Sequence, residues 1–247
     1  GFLTGYLYGP LKAALLPIFN EKGSKTVVTY PILNNQSFVI FIFGSADSED
    51  FKQTLFSVLT QEYDNFKVFY IDHGQQEDRE EEVRSFLSFH DPFQRVRYIR
   101  SGSEQESFES LYQILHGRPC KDIALMLNSS DSLSSKHVLS RLNSTYANSD
   151  VWMTFARCAE YPSYRRIEKD KKCLLKELNR KEDSKSASFL SSTFHSFYVG
   201  LFKRIKLEDF LHEGRFVSSL ESLLYMAPIL ELGRHHSVEL DEIMYLK

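Results

Sequence analysis

Apolar residues along this chain recur with two periods, and the order in which those periods alternate is its first structural signal. Short apolar runs at 38 to 43 (FVIFIF), 67 to 71 (KVFYI), 95 to 99 (RVRYI), 123 to 127 (IALML) and 150 to 156 (DVWMTFA) suit strands better than helices of ordinary length. Between them lie segments with helical spacing. Phe51, Leu55, Val58 and Leu59 share one face, as do Phe108, Leu111, Tyr112 and Leu115, and again Val138, Leu139 and Leu142. The acidic stretch from Glu77 to Glu82 opens one more helix, in the sense the helix dipole favours. Strands alternating with helices predict an α/β fold: a mainly parallel sheet flanked by helices and joined by right-handed crossovers.

The run at 123 to 127 stands out because it stops in a small polar turn, Asn128-Ser129-Ser130-Asp131. An unbroken apolar strand is what a sheet covered on both faces requires. Ligands of open α/β sheets bind at the carboxyl ends of strands, so the turn is a candidate site. Its donors are one carboxylate, one amide and two hydroxyls, a weak cage for a metal ion.

Residues 1 to 36 read as a separate piece. The opening GFLTGYLYGPLKAALLPIF is apolar but broken by Gly5, Gly9, Pro10, Lys12 and Pro17, and a linker with one extended segment, Thr26 to Tyr30, follows. A transmembrane span needs roughly 20 apolar residues, and a signal peptide needs a basic start and a small-residue cleavage site. The arm has neither pattern, which leaves packing on the body, self-association, a protein partner or a membrane surface. Residues 165 to 186 are charge-dense and predict a solvated helix or loop over the carboxyl edge, with a phosphate-binding lid through Arg165 or Arg166 as the functional alternative. From Phe189 helical spacing returns in FYVGLFKRI and SSLESLLYMAPILEL.

Composition narrows the function classes. A chain of 247 residues, 42% hydrophobic and 14% aromatic, is long and apolar enough for one large ordered domain. Thirty basic against 33 acidic residues leave a formal charge of −3, which argues against nucleic acid as a partner. Three cysteines without CxxC spacing indicate neither a disulfide framework nor a zinc site, and predict a reducing, cytoplasmic setting, with membrane association resting on the arm.

Residues 38 to 78, FVIFIFGSADSEDFKQTLFSVLTQEYDNFKVFYIDHGQQED, resemble the opening of the family 2 glycosyltransferases, a strand, a polar turn, a helix ending S-x-x-x-Q-x-Y and a strand ending D-D-G-S. Ser57, Gln61, Tyr63, Phe66, Asp72 and Gly74 keep that frame. Residues 108 to 133 resemble the donor-site helix and D-x-D turn, and Thr193 to Tyr245 resembles the acceptor side of a bacterial and viral branch. The resemblance implies a GT-A fold over residues 37 to 247, with a nucleotide-side half at 37 to 156 and an acceptor-side half at 187 to 247. It also implies a nucleotide-diphospho-sugar as ligand.

By position in that frame, Gly44, Ser45, Asp72, His73, Asn128 and Ser130 fall on the nucleotide side. Asp131 and His236 are the candidate metal ligands, with His235 beside the second. Ungapped matching puts Ser222 at the catalytic base, and a one-residue slip puts Glu221 there. The family's metal turn offers carboxylates that hold Mg²⁺ or Mn²⁺ against the leaving diphosphate. Asn128 and Ser130 stand where two of them belong, so the resemblance implies a weak divalent site or none. Metal turn, base and one residue of the nucleotide pair depart together, which points to a degenerate or non-catalytic relative. The alternatives are an active metal-independent transferase, with Arg157, Arg165 or Arg166 replacing the ion, and a partner- or membrane-docking module.

Overall fold

The computed structural model of the chain describes residues 15–19, 25–29, 35–44, 51–74, 78–167, 194–216 and 223–247. They fall into two compact units, Gly1–Asn35 and Gln36–Lys247. In the first, β1 (Leu15–Phe19) and β2 (Lys25–Thr29) pair antiparallel, with Leu15 opposite Thr29. The extended segment expected near Thr26 is therefore half of a hairpin, and its partner strand comes from the apolar arm.

The second unit begins with the alternation predicted from the apolar pattern: β3 (Phe38–Gly44), α1 (Phe51–Leu59), β4 (Phe66–Asp72), α2 (Arg79–His90), β5 (Val96–Arg100), α3 (Glu104–Gly117) and β6 (Ile123–Asn128). Then come β7 (Ser132–Leu133), α4 (Val138–Tyr146), β8 (Met153–Glu160), β9 (Arg165–Ile167) and β10 (Phe194–Tyr198). A short helix α5 (Val199–Phe202), a 3₁₀ turn (Leu207–Phe210), β11 (Leu211–His212), β12 (Arg215–Phe216), α6 (Leu223–Gly233) and β13 (Ser237–Leu246) complete it. One nine-stranded sheet runs β5-β4-β3-β6-β10-β8-β13-β7, with β9 on the side of β8.

Strands β5, β4, β3 and β6 are parallel throughout. Beyond them the sheet is mixed, because β10 inserts antiparallel between β6 and β8, while β13 runs parallel to β8 and antiparallel to β7. The sheet is thus less parallel than the strand-helix alternation predicts. Helical spacing from Phe197 onward also hides a strand. Phe197 lies opposite Ala124 on one side and Met153 on the other, and the chain turns helical only at Val199.

Both faces of the sheet are dry at β3 and β6, which is why these central strands read as unbroken apolar runs. Phe38, Ile40 and Ile42 of β3 join Ile123, Leu125 and Leu127 of β6 under α1, α2 and α4. Val39, Phe41, Ala124 and Met126 point the other way, into a layer with Phe108, Leu111 and Leu115 of α3 and Val199, Leu201 and Phe202 of α5. Period-two alternation therefore assigns each strand residue to one of two cores. Among the described residues no helix is long and apolar enough to cross a membrane.

The Ser57, Gln61 and Tyr63 frame turns out to be a set of fasteners. Ser57 Oγ accepts from Leu133 N (3.0 Å), Gln61 Nε2 donates to Ser135 O (2.7 Å) and its Oε1 accepts from Leu139 N (3.1 Å). Tyr63 Oη donates to Gln36 O (2.6 Å). Together they tie the end of α1 to the segment after β6 and to the start of α4, which fixes the strand-end turn against the helix layer.

Candidate functional site at the carboxyl edge

Strand register brings the ends of β3, β4, β5 and β6 side by side. Gly44 pairs with Asp72, Asp72 with Arg100, and Phe43 with Asn128. The structure therefore places Gly44, Asp72, His73, Asn128, Ser130 and Asp131 along one edge. Ser45, Glu221 and Ser222 lie outside the described residues.

Asp72 is only 1% exposed, and each oxygen of its carboxylate has a donor from within the chain. Oδ1 accepts from Gly74 N (2.9 Å) and Oδ2 from Tyr98 Oη (3.1 Å), while its main-chain carbonyl accepts from Ser101 N (2.8 Å). Burial, then the Asp72 charge, pushes the Tyr98 hydroxyl well above its ordinary range, so it stays a donor. Beside it, His73 Nε2 is 3.8 Å from Glu104 Oε1, and its buried Nδ1 has no hydrogen-bond partner. Glu104 begins α3, whose start is fixed by Ser103 Oγ accepting from Glu106 N (3.2 Å) and Glu106 Oε2 accepting from Gly102 N (2.6 Å). Tyr98→Phe is expected to lower stability by about 1 kcal/mol in urea unfolding, the worth of one such bond; a change of under a few tenths would mean the bond contributes nothing.

At the end of β6 the turn closes on itself. Asp131 N donates to Asn128 O (3.0 Å), and Asp131 Oδ2 accepts from Asn128 Nδ2 (3.2 Å) and, at 3.4 Å, from Asn128 N. Thr54 Oγ1 of α1 holds the turn from behind by donating to Ser129 O (2.7 Å). Asn128 and Ser130 are exposed, whereas Asp131 is 4% exposed. Burial pushes the Asp131 carboxyl up to about 6, against the opposing pull of the Lys247 ammonium and the two Asn128 N–H groups.

These donors do not fit a divalent cation. The single carboxylate of the turn faces its own backbone, and the exposed positions are an amide and a hydroxyl that bring no charge. Among the described residues no three His, Cys, Asp or Glu side chains gather in a way that could hold a metal ion. His236, paired with Asp131 as a candidate ligand in the sequence, lies elsewhere. It precedes β13, whose far end pairs with Ser132, so a ten-residue strand of roughly 30 Å separates the two positions. There His236 stacks on Trp152 with ring centroids 3.7 Å apart, and its Nδ1 lies 2.8 Å from Asp150 Oδ1. His236 thus lies at the opposite edge of the sheet from the Asp131 turn.

Solved structures match this architecture. One is S. aureus TarS 1-349 in complex with UDP-GlcNAc, at TM-score 0.59 and 14% identity, over 86% of this chain and 58% of that one. Another is the mannosyltransferase PcManGT from Pyrobaculum calidifontis in complex with GDP-Man and Mn²⁺, at TM-score 0.58 and 11% identity, over 88% of this chain and 59% of that one. The chain has a GT-A-like fold. It spans about three fifths of these neighbours, and 36% of the longer TarS structure. No protein-family model and no curated protein sequence matches it.

The two arginines with described side chains that were candidates to replace a metal are already paired. Arg157 meets Asp241 at 2.8 Å and Arg165 meets Glu160 at 3.1 Å. Two residues that shape the site carry no sequence signal. Tyr98 reaches Asp72 across a strand pairing, and Lys247 reaches the Asp131 turn from the end of β13.

Proposed function

We propose that this chain is a degenerate member of the family 2 type of glycosyltransferase: a domain that binds a nucleotide-diphospho-sugar weakly, without a divalent cation, and does not transfer the sugar efficiently. The observation that carries the reading is the inward turn of Asp131. Transfer leaves a nucleoside diphosphate whose growing charge must be met by a metal ion or an equivalent array of donors. A turn reading Asn128-Ser129-Ser130-Asp131, with its carboxylate buried, supplies neither two ligands nor a net charge at the surface.

Weak nucleotide recognition is supported by Asp72. It keeps the strand-end position next to Gly44, but an incoming base must compete with Tyr98 and Gly74 for its oxygens. UDP-GlcNAc and GDP-Man in the complexes of the two fold neighbours make nucleotide-sugars the ligand class to try first.

A melting series with UDP- and GDP-sugars, with Mn²⁺ or with EDTA, tests this directly. A ligand that binds only the folded chain stabilises it by RT ln(1 + [L]/Kd), about 0.4 kcal/mol when the donor equals Kd. The expected result is a small shift at millimolar donor, equal with Mn²⁺ and EDTA, and absent in Asp72→Ala. A large shift that requires Mn²⁺, or turnover of the donor with an acceptor, would overturn the degenerate reading.

A further inference from the structure

The two donors that hold the Asp72 carboxylate differ in kind. Gly74 N–H is main chain, two residues on, and its 2.9 Å bond to Oδ1 closes the turn that ends the strand. It cannot leave without unmaking that turn. Tyr98 Oη, 3.1 Å from Oδ2, stands at the tip of a side chain that a change of rotamer can move.

Strand register brings Tyr98 there. β5 pairs parallel with β4, Tyr98 opposite Tyr70 and Arg100 opposite Asp72, so Tyr98 lies diagonally across from Asp72 on the same face of the sheet. Its ring meets that of Tyr70 edge-on, with centroids 5.5 Å apart, and its hydroxyl extends from there to the carboxylate. β5 is the last strand of the sheet, and Tyr98 is only half-buried. Among the described residues no strand pairs with β5 on its outer side, so the ring can turn outward without displacing one. Asp72 is thus 1% exposed beneath a movable group rather than beneath fixed core. Next in the chain, His73 keeps a buried Nδ1 with no hydrogen-bond partner. Buried polar atoms are nearly always paired within a fold, and an exception at a strand end marks a position that a ligand can complete.

We propose that Tyr98 is an internal latch on the base-binding carboxylate: its hydroxyl occupies Asp72 Oδ2 and must swing away before a nucleobase N–H can take that place. The inference rests on the nucleotide-sugar reading above and names what regulates that site. A base N–H replaces the Tyr98 O–H bond for bond, so the net gain on binding is small. Only molecules with Tyr98 turned out are competent, and the apparent affinity falls by that fraction. Removing the hydroxyl leaves Oδ2 a buried acceptor without its side-chain donor, a place the base then fills. The same substitution therefore weakens the fold and strengthens the site, a pair of signs that a purely structural bond does not produce.

Calorimetric titration of the full chain with UDP, GDP and inorganic pyrophosphate, all in EDTA, tests the latch. Tyr98→Phe should bind UDP or GDP about fivefold more tightly than wild type, the factor carried by one hydrogen bond of typical net worth. Tyr98→Val, which removes the ring as well, should gain at least as much. Pyrophosphate, which has no base, should gain in neither variant. Adding Asp72→Ala to Tyr98→Phe should abolish the gain, because the two side chains act through one bond. Melting temperatures establish that each protein is folded under the titration conditions. If UDP or GDP binds wild type and Tyr98→Phe no more tightly than wild type, the latch falls while the nucleotide reading stands. A gain that persists without Asp72, or that extends to pyrophosphate, also overturns the latch. If neither nucleotide binds wild type or variants, both readings fall.

Discussion

Asp131→Asn is expected to raise stability by up to about 3 kcal/mol at pH 7.5 and to leave it nearly unchanged at pH 4. The Asp131 carboxyl sits at about 6 in the folded chain against an ordinary 3.8, with burial the main cause. Folding therefore takes up a proton between those two values. Stability contributed by this group is fully present below pH 3.8, falls as pH rises through about 6, and stays lost above it. The difference of about two units corresponds to about 3 kcal/mol at neutral pH. Asparagine keeps an oxygen to accept from Asn128 N and Nδ2 while removing the buried charge. Urea unfolding of both proteins at the two pH values measures it. Loss of stability in the variant at pH 7.5 would show that the ionised carboxylate is held by favourable contacts, and would undo the claim that its charge is a burden.

Gly44→Ala should destabilise the chain by about 1–3 kcal/mol, the usual effect of forcing a methyl group into a filled space. A Cβ on residue 44 would lie 2.7 Å from Asp72 Oδ1 and 2.9 Å from both Cε2 and Oη of Tyr70. Neither neighbour yields easily. Asp72 is tied to Gly74 and Tyr98, and Tyr70 is 1% exposed within the core. Movement of the Asp72 carboxylate would break those bonds in a buried setting, so nucleotide affinity should fall with stability. The double variant Gly44→Ala, Tyr70→Phe removes one of the colliding atoms and should recover part of the loss. Stability of Gly44→Ala within about 0.5 kcal/mol of wild type, the range of an ordinary surface change, would mean the site is looser than its packing indicates.

The parallel half of the fold was legible because its signals are local. Phe38 to Phe43 and Ile123 to Leu127 are apolar without interruption, and Phe108, Leu111 and Leu115 keep one helical face. The mixed half was legible only in part: the apolar run at 150 to 156 marks β8 (Met153–Glu160), whereas β10 and β13 were not read as strands. Ser237–Leu246 is a ten-residue strand, but its pairing with β8 shifts register between Leu240 and Ile243 and again between Ile243 and Tyr245. Each irregularity resets the two-residue alternation by which a strand is recognised. β10 was concealed differently. Its buried Ser196 looks polar in sequence, yet its hydroxyl lies 2.7 Å from Thr154 Oγ1 and 2.9 Å from Tyr146 Oη, partners that only the assembled sheet provides.

By itself the sequence determined that a doubly covered sheet exists and that Asp72 and Asn128 end two of its strands, the second followed by a turn of one carboxylate, one amide and two hydroxyls. Tertiary structure decided the rest: Asp131 faces inward, His236 belongs to the opposite edge, Tyr98 occupies Asp72, and Lys247 arrives beside the turn. Hydrophobic periodicity depends on neighbours a few residues apart, so it survives in the one-dimensional string. The direction and charge state of a side chain depend on strand register and burial, which are set by residues as far apart as Ser132 and Leu246 and come into being only when the sheet closes.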